Sequence, residues 1–207
     1  MIDRLMDGSE ASAGELARVA GVSASTASEH LSELEVGGLV SSTARGRCKY
    51  FTISTRDVAS ALERLSLICP PKEVRSLRQS RDASAMAHFR TCYDHLAGSV
   101  AVALCDELAR RRWTIRRGDS ILLSRRGEVG LTEVGVDFQW ARAQRRTFLR
   151  TCVDWSEKRP HLAGAVGAEL ARVFLDRGWA RRRPGGRGLD ITGSGRRILS
   201  DRFSVQV

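Results

Sequence analysis

Residues 12–54 read SAGELARVAGVSASTASEHLSELEVGGLVSSTARGRCKYFTIS, and the punctuation of this stretch divides it into two helices and a hairpin. Ser12 followed by Glu15 is a capping box, which satisfies backbone N–H groups that the first turn of a helix leaves open. The helix it starts carries Leu16, Val19 and Ala20. Gly21 supplies a sharp turn, and Ser23 caps a second helix whose Ala27, Leu31 and Leu34 recur at three-to-four spacing and point inward. Gly37-Gly38 ends that helix, Leu39-Val40 begins a strand, Arg45-Gly46-Arg47 makes a tip, and Tyr50, Phe51 and Ile53 return.

A helix, a tight turn, a second helix and a basic hairpin in that order spell a winged helix-turn-helix. The second helix leaves Ser25, Thr26, Ser28, Glu29 and His30 on or near its outer face, small polar side chains in the N-terminal half as entry into a DNA groove requires. Arg45, Arg47 and Lys49 put positive charge where a wing meets phosphate or the minor groove. The candidate DNA-binding set is therefore Ser25, Thr26, Ser28 and His30 on the helix with Arg45, Arg47 and Lys49 in the wing.

The pattern ELARVAGVSASTASEHLSELEVGGLV…RGRCKYFTIS resembles the DNA-binding core of the ArsR-type winged-helix repressors along its whole length. The resemblance covers about a quarter of the chain. It implies a homodimeric repressor on a palindromic operator of double-stranded DNA, with a dimer helix near residues 55–68. Two departures qualify it. The family's extra N-terminal helix is reduced to MIDRLMDG, and the cysteine box of its metal-sensing members is replaced by ELARVAG, which has no thiol. Glu29 stands where the family often has His or a neutral residue; a carboxylate there repels phosphate or accepts from cytosine.

Charge moves attention downstream. The net charge of +10 suggests a polyanionic partner, yet residues 1–68 hold seven Lys and Arg against nine Asp and Glu. DNA affinity must then come from a local positive edge and dimerisation. The N-terminus, MIDRLMDGSE, lacks the apolar core of a signal peptide, and no apolar run approaches the roughly 20 residues of a membrane span, so a cytoplasmic protein without membrane contact is expected. Cys48, Cys69, Cys92, Cys105 and Cys152 are odd in number and show no CxxC spacing, which argues against a disulfide framework.

After a helix from about Thr55 to Ile68, started by Ser54 with Asp57, Pro70-Pro71 opens a charged connector carrying Lys72, Arg75, Arg78 and Arg81. Beyond it lies an internal repeat. Thr91-Cys92-Tyr93-Asp94-His95-Leu96-Ala97-Gly98 parallels Thr151-Cys152-Val153-Asp154 and, after six further residues, His161-Leu162-Ala163-Gly164. Trp113 and Trp179 keep step, and Leu131-Thr132-x-x-Gly135 is echoed by Ile191-Thr192-x-x-Gly195. Each copy reads as a long helix ending near the Trp, a basic hairpin and a Thr-capped helix, with Pro160 suited to a first helical turn. This resembles a pair of degenerate winged-helix halves, and the closest grouping is multi-domain ArsR-like regulators with a TCYDHLAG-type C-terminal region.

Cys92, Asp94 and His95 fall in register with Cys152, Asp154 and His161. Two thiolates and two imidazoles suit tetrahedral zinc, and soft thiols suit a metalloid. On one helix, however, Asp94 would point about 200° from Cys92, so the three could not ligate together. Packing between repeats, a small-molecule effector pocket, which Trp113, Trp140, Trp155 and Trp179 could line, and a metal or redox switch all remain open, and no cofactor is assigned. No nucleophile elbow, phosphate loop or HExxH motif is present, so no enzyme is expected.

The expected fold is mainly α with short β-hairpins: a winged helix-turn-helix over 1–68, a charged linker over 69–84, and an effector or dimerisation domain over 85–207, its repeats at about 85–140 and 141–207. The expected function is a sequence-specific, dimeric repressor released by an effector at the C-terminal domain. A metal- or thiol-redox-responsive switch using Cys92 and Cys152, and a non-sensing architectural DNA-binding protein, are the alternatives.

Overall fold

Hydroxyl caps start three of the first four helices in the computed structural model, which describes residues 1–69, 76–118, 120–184 and 186–207. Helix α1 (Ile2–Leu5) leads to strand β1 (Ala11–Ser12) and helix α2 (Ala13–Ala20). Ser12 Oγ accepts from Glu15 N at 3.3 Å, and Gly21 closes α2 in the left-handed conformation. Ser23 Oγ accepts from Thr26 N at the start of α3 (Ala24–Val36). Strands β2 (Val40–Arg45) and β3 (Cys48–Ile53) pair antiparallel with Val40 opposite Ile53 and Arg45 opposite Cys48. β1 adds to the other edge of β3, a third strand too short at two residues for any sequence period to show. Leu5, Leu16, Leu31, Val40, Phe51, Ile53 and Ala59 fill the core beneath.

Helix α4 (Arg56–Ile68) begins one residue later than the Ser54 cap expected. Thr55 Oγ1 accepts from Val58 N, while Ser54 Oγ donates to Gly38 O and ties the entry of α4 to the exit of α3. Of the charged connector, Lys72, Arg75 and the side chain of Arg78 lie outside the described residues; Arg81 is exposed on α5 (Leu77–His88), a helix that runs across the expected boundary at 84.

Beyond α5 the order hairpin, helix, hairpin, helix occurs twice. The first segment holds β4 (Arg90–Cys92), β5 (His95–Ala97), α6 (Ser99–Arg110), β6 (Thr114–Arg117), β7 (Ser120–Leu123) and α7 (Arg125–Glu133), followed by the short α8 (Phe138–Ala143). The second holds β8 (Arg150–Val153), β9 (Pro160–Ala163), α9 (Gly164–Asp176), β10 (Ala180–Arg182), β11 (Leu189–Ile191) and α10 (Gly193–Phe203). α6 packs on β9 and α9 on β5, so each helix covers the hairpin of the other segment, and β5 lies against β9. One core runs through both, including Phe89, Leu104, Leu108, Leu131, Leu162, Leu170, Phe174 and Leu199.

Three expectations are corrected. The Cys92–His95 stretch is a hairpin and not part of a long helix: Cys92 pairs with His95 across a turn at Tyr93-Asp94, and the helix begins only after Gly98. Strands of three residues carry too little pattern to stand apart from the apolar helix that follows. Likewise Cys152 pairs with His161, residues 154–159 form the hairpin loop, and Pro160 opens β9, a position where its missing N–H costs little. Finally, Leu131 and Thr132 lie inside α7, which Ser124 caps by accepting from Gly127 N; Thr192 accepts from Gly195 N in the same way. The true counterparts are Leu123-Ser124-x-x-Gly127 and Ile191-Thr192-x-x-Gly195.

Those two glycines are dictated by close approach. A Cβ at Gly127 or Gly195 would stand well inside 3.0 Å of the carbonyl oxygen of Trp113 or Trp179. Gly195→Ala is therefore expected to destabilise the chain by about 1–3 kcal/mol, the cost of overpacking. Gly193→Ala, with no atom within 4 Å of the added methyl, should leave the melting midpoint nearly unchanged. Equal midpoints for the two variants in thermal unfolding would contradict the assignment.

Candidate functional site

Burial of Ala27 and Leu31 fixes the rotation of α3 and leaves Ser25, Ser28, Glu29 and His30 exposed, with Thr26 half-buried. Ser25 and Thr26 belong to the cap itself: Ser23 Oγ lies 2.8 Å from Ser25 Oγ and 2.9 Å from Thr26 Oγ1. In the wing Arg45, Arg47 and Lys49 are all exposed. Arg45 pairs with Glu10 at 2.7 Å, and Lys49 pairs with Glu35 at 3.1 Å. The Ser42 hydroxyl, then Lys49, holds the Glu35 carboxyl below its ordinary range. Exposed pairs of this kind contribute roughly 0–1 kcal/mol, so exchanging a carboxylate for a phosphate costs the wing little.

The second constellation lies where the hairpins β4–β5 and β8–β9 face each other. Antiparallel pairing sets Cys92 beside His95 and Cys152 beside His161, and the contact of β5 with β9 brings the two pairs together. Cys92 Sγ stands 3.9 Å from Cys152 Sγ, and the rings of His95 and His161 are 5.1 Å apart. One ligand atom from each of the four residues lies within 4.8 Å of every other. Cys92, His95 and His161 are buried and Cys152 is half-buried.

The two aspartates stand behind the histidines, not among the four. Asp94 Oδ1 lies 3.2 Å from His95 Nδ1, and Asp154 Oδ2 lies 3.2 Å from His161 Nδ1, the latter at ion-pair distance without hydrogen-bond geometry. Nε2 of both histidines is buried without a hydrogen-bond partner among the described residues. Each aspartate is held by an arginine from the other segment. Asp154 accepts from Arg90 at 2.9 Å with both side chains fully buried, and also from Gly98 N, Ser156 N, Ser156 Oγ and Glu157 N. Asp94 accepts from Arg146 and stands 3.5 Å from Arg56 of α4. Burial works against both carboxylates, but His95 with Arg146, and His161 with Arg90, hold them well below the usual range.

The thiols are driven apart. Cys92 is pushed up by its hydrogen bond to Cys152 and by burial, whereas Cys152 is pulled down by accepting from Cys92 and, against the penalty of burial, by the neighbouring His161 and His95. Burial disfavours the His161 cation, yet Asp154 and Cys152 raise its pKa. The arrangement favours a thiolate at Cys152 beside polarised imidazoles.

The cluster touches the N-terminal part directly. Tyr93, in the turn between Cys92 and His95, packs against the core of the winged-helix part. Glu63 of α4 and Arg187 form a buried ion pair, and Arg187 also reaches Asp3 at 3.0 Å. Arg90, Tyr93, Arg146 and Glu63 were not singled out by the sequence. The repeated tripeptide Arg-Thr-Cys at 90–92 and 150–152 was the available signal for Arg90.

The tryptophans do not converge on a pocket. Trp113 packs edge-on to Phe203, Trp179 packs edge-on to Phe174, Trp155 lies beneath Arg90, and Trp140 is partly exposed. The space between Leu96, Leu104, Leu162 and Leu170 is only about 10 Å³, so the two segments meet in a filled core. A larger cavity of about 470 Å³ is lined instead by Arg56, Arg64, Arg145, Arg146 and Arg150.

Residues 1–43 match a helix-turn-helix domain family. The HTH-type transcriptional regulator YdfF of Bacillus subtilis (strain 168) is 35% identical over 203 residues, which cover 98% of this chain and 90% of that protein. Among solved structures, NolR from Sinorhizobium fredii is 36% identical over 32% of this chain and 66% of its own, with a TM-score of 0.30. No helix among the described residues is long and apolar enough to cross a membrane.

The Arg90–Asp154 pair gives a direct stability test. Arg90→Ala leaves a buried carboxylate without its cation and is expected to cost about 3–5 kcal/mol in urea unfolding. Arg159→Ala, which opens an exposed pair with Asp106, should cost less than about 1 kcal/mol.

Proposed function

The chain belongs to the family of HTH-type transcriptional regulators, and from that premise we propose that it is an ArsR-type, sequence-specific repressor acting as a homodimer on a palindromic operator. The observation that carries the reading is the pairing, on one small core, of an exposed polar N-terminal half of α3 with a basic wing. In this reading Ser28 and His30, with Ser25 and Thr26 at the cap, face base edges, while Arg45, Arg47 and Lys49 meet phosphate. Glu29 on the same face disfavours close phosphate approach and accepts from cytosine. Two such readers on a twofold axis engage half-sites about one helical turn apart.

Dimerisation is assigned to the free side of α4. Leu65 and Ile68 are 52% and 80% exposed there, and Leu77 at the start of α5 is 82% exposed. The opposite side of α4 carries Glu63, already buried against Arg187. Residues 1–68 are the DNA-binding unit in this scheme, and the two like segments beyond residue 85 form an effector domain with approximate internal twofold symmetry. An effector there acts by favouring a dimer geometry that no longer fits the operator spacing. Tyr93 and Asp94 support such coupling, because both reach the N-terminal part from the hairpin that carries Cys92 and His95.

A gel-shift titration with DNA from upstream of the chain's own coding region tests the reading. A specific complex is expected, with affinity falling steeply as salt rises. Arg47→Ala should weaken binding to all sequences alike and reduce the salt slope by about one, whereas His30→Ala should change the preference between operator variants. Absence of binding to any upstream fragment at low salt would reject the proposal.

A further inference from the structure

We propose that Cys92, His95, Cys152 and His161 form one tetrahedral site for a zinc-class divalent cation, built jointly by the hairpins β4–β5 and β8–β9. The inference rests on the geometry of the cluster and stands or falls independently of the DNA-binding reading.

The distances fit such an ion. Zinc binds thiolate at about 2.3 Å and imidazole at about 2.0–2.1 Å, so two sulfurs of a tetrahedral site stand about 3.8 Å apart. The two Sγ atoms lie at 3.9 Å. All four ligand atoms lie within 4.8 Å of one another, about 1 Å beyond the edge of such a tetrahedron. Packing alone does not account for this set. Apolar packing would not leave the Nε2 atoms of two adjacent histidines buried and unpartnered. A cation between them and the two sulfurs supplies the missing partner for both.

The surroundings have the form of a supported metal site. A ligating histidine commonly directs its second nitrogen to a carboxylate, which fixes the ring and its tautomer. Asp94 stands behind Nδ1 of His95 in that way, and Asp154 lies at the same 3.2 Å from Nδ1 of His161, at ion-pair distance without hydrogen-bond geometry. The charges also balance locally. A divalent cation with two thiolates is neutral, Asp154 is matched by Arg90, and Asp94 is matched by Arg146. With all four corners filled by protein, the site has no open position for a reacting water, which marks it as closed and non-catalytic.

The full-length chain, isolated under reducing conditions and dialysed against metal-free buffer with one equivalent of zinc, should retain close to one zinc per chain by elemental analysis. Replacement by Co(II) should give the intense visible absorption of a tetrahedral ion with a sulfur-to-cobalt charge-transfer band, and zinc should displace it. The double variant Cys92→Ser, Cys152→Ser should lose both signals, while Cys69→Ser, at an exposed thiol, should keep them. His95→Gln should weaken retention and shift the Co(II) spectrum if the double variant does not fold. Less than a tenth of an equivalent retained by the reduced wild-type chain, or a weak six-coordinate Co(II) spectrum, overturns the proposal. So does full metal retention by a folded double variant. A Cys92–Cys152 disulfide whose reduction yields a chain that still binds no metal overturns it as well, and identifies the pair as a redox couple.

Discussion

Asp154 holds the C-terminal half of the molecule together, because its two oxygens are claimed by groups that would otherwise be buried without partners. Arg90 reaches it from the strand of the other segment, and Gly98 N reaches it from the start of α6. A guanidinium and a carboxylate that are both fully buried tolerate little displacement, since separating them exposes each to the full cost of an unpaired charge. The loop 154–159, the strand β4 and the first turn of α6 are therefore located relative to one another by one side chain. The contact of β5 with β9 follows, and with it the meeting of Cys92, His95, Cys152 and His161.

The docking of the N-terminal part repeats the same physics on a smaller scale. Glu63 and Arg187 are buried as a pair between α4 and the loop before β11, with Asp3 close by, and Arg182 reaches Asp7. These are ionic contacts across a junction whose apolar element is Tyr93. The formal charges explain why the joint takes this form: the first 68 residues carry a small acidic excess and the remainder a large basic one, so opposite surfaces meet.

The N-terminal part was legible because its signals are local. Ser12, Gly21, Ser23 and Gly37-Gly38 each act within four residues, and each occupies the position its chemistry suggests. The recurrence of Cys92 and Cys152, and of His95 and His161, was equally visible, and the structure places these four residues together. What failed was the assignment of the hairpins to helices, because strands of three or four residues are stabilised by partners far along the chain. The L-T-x-x-G echo failed for a related reason: Thr132 matches the letter but Ser124 performs the capping, and only the approach of the Trp113 carbonyl to Gly127 reveals the correct register. Arg90, Arg146 and Tyr93 owe their importance to contacts with distant elements and had no local pattern to announce them.

The six additional residues in the second hairpin have a consequence for symmetry. Two segments of like architecture present two like turns, and either could in principle accept the same neighbour. In the first hairpin the connection is two residues long and begins with Tyr93, which fits the N-terminal core; in the second the connection folds back on Asp154 and sends Lys158 to Leu67 O. Lengthening one loop thus turns an equivalent pair of surfaces into a key and a buttress, so that a chain built from two similar halves carries its N-terminal unit in a single orientation.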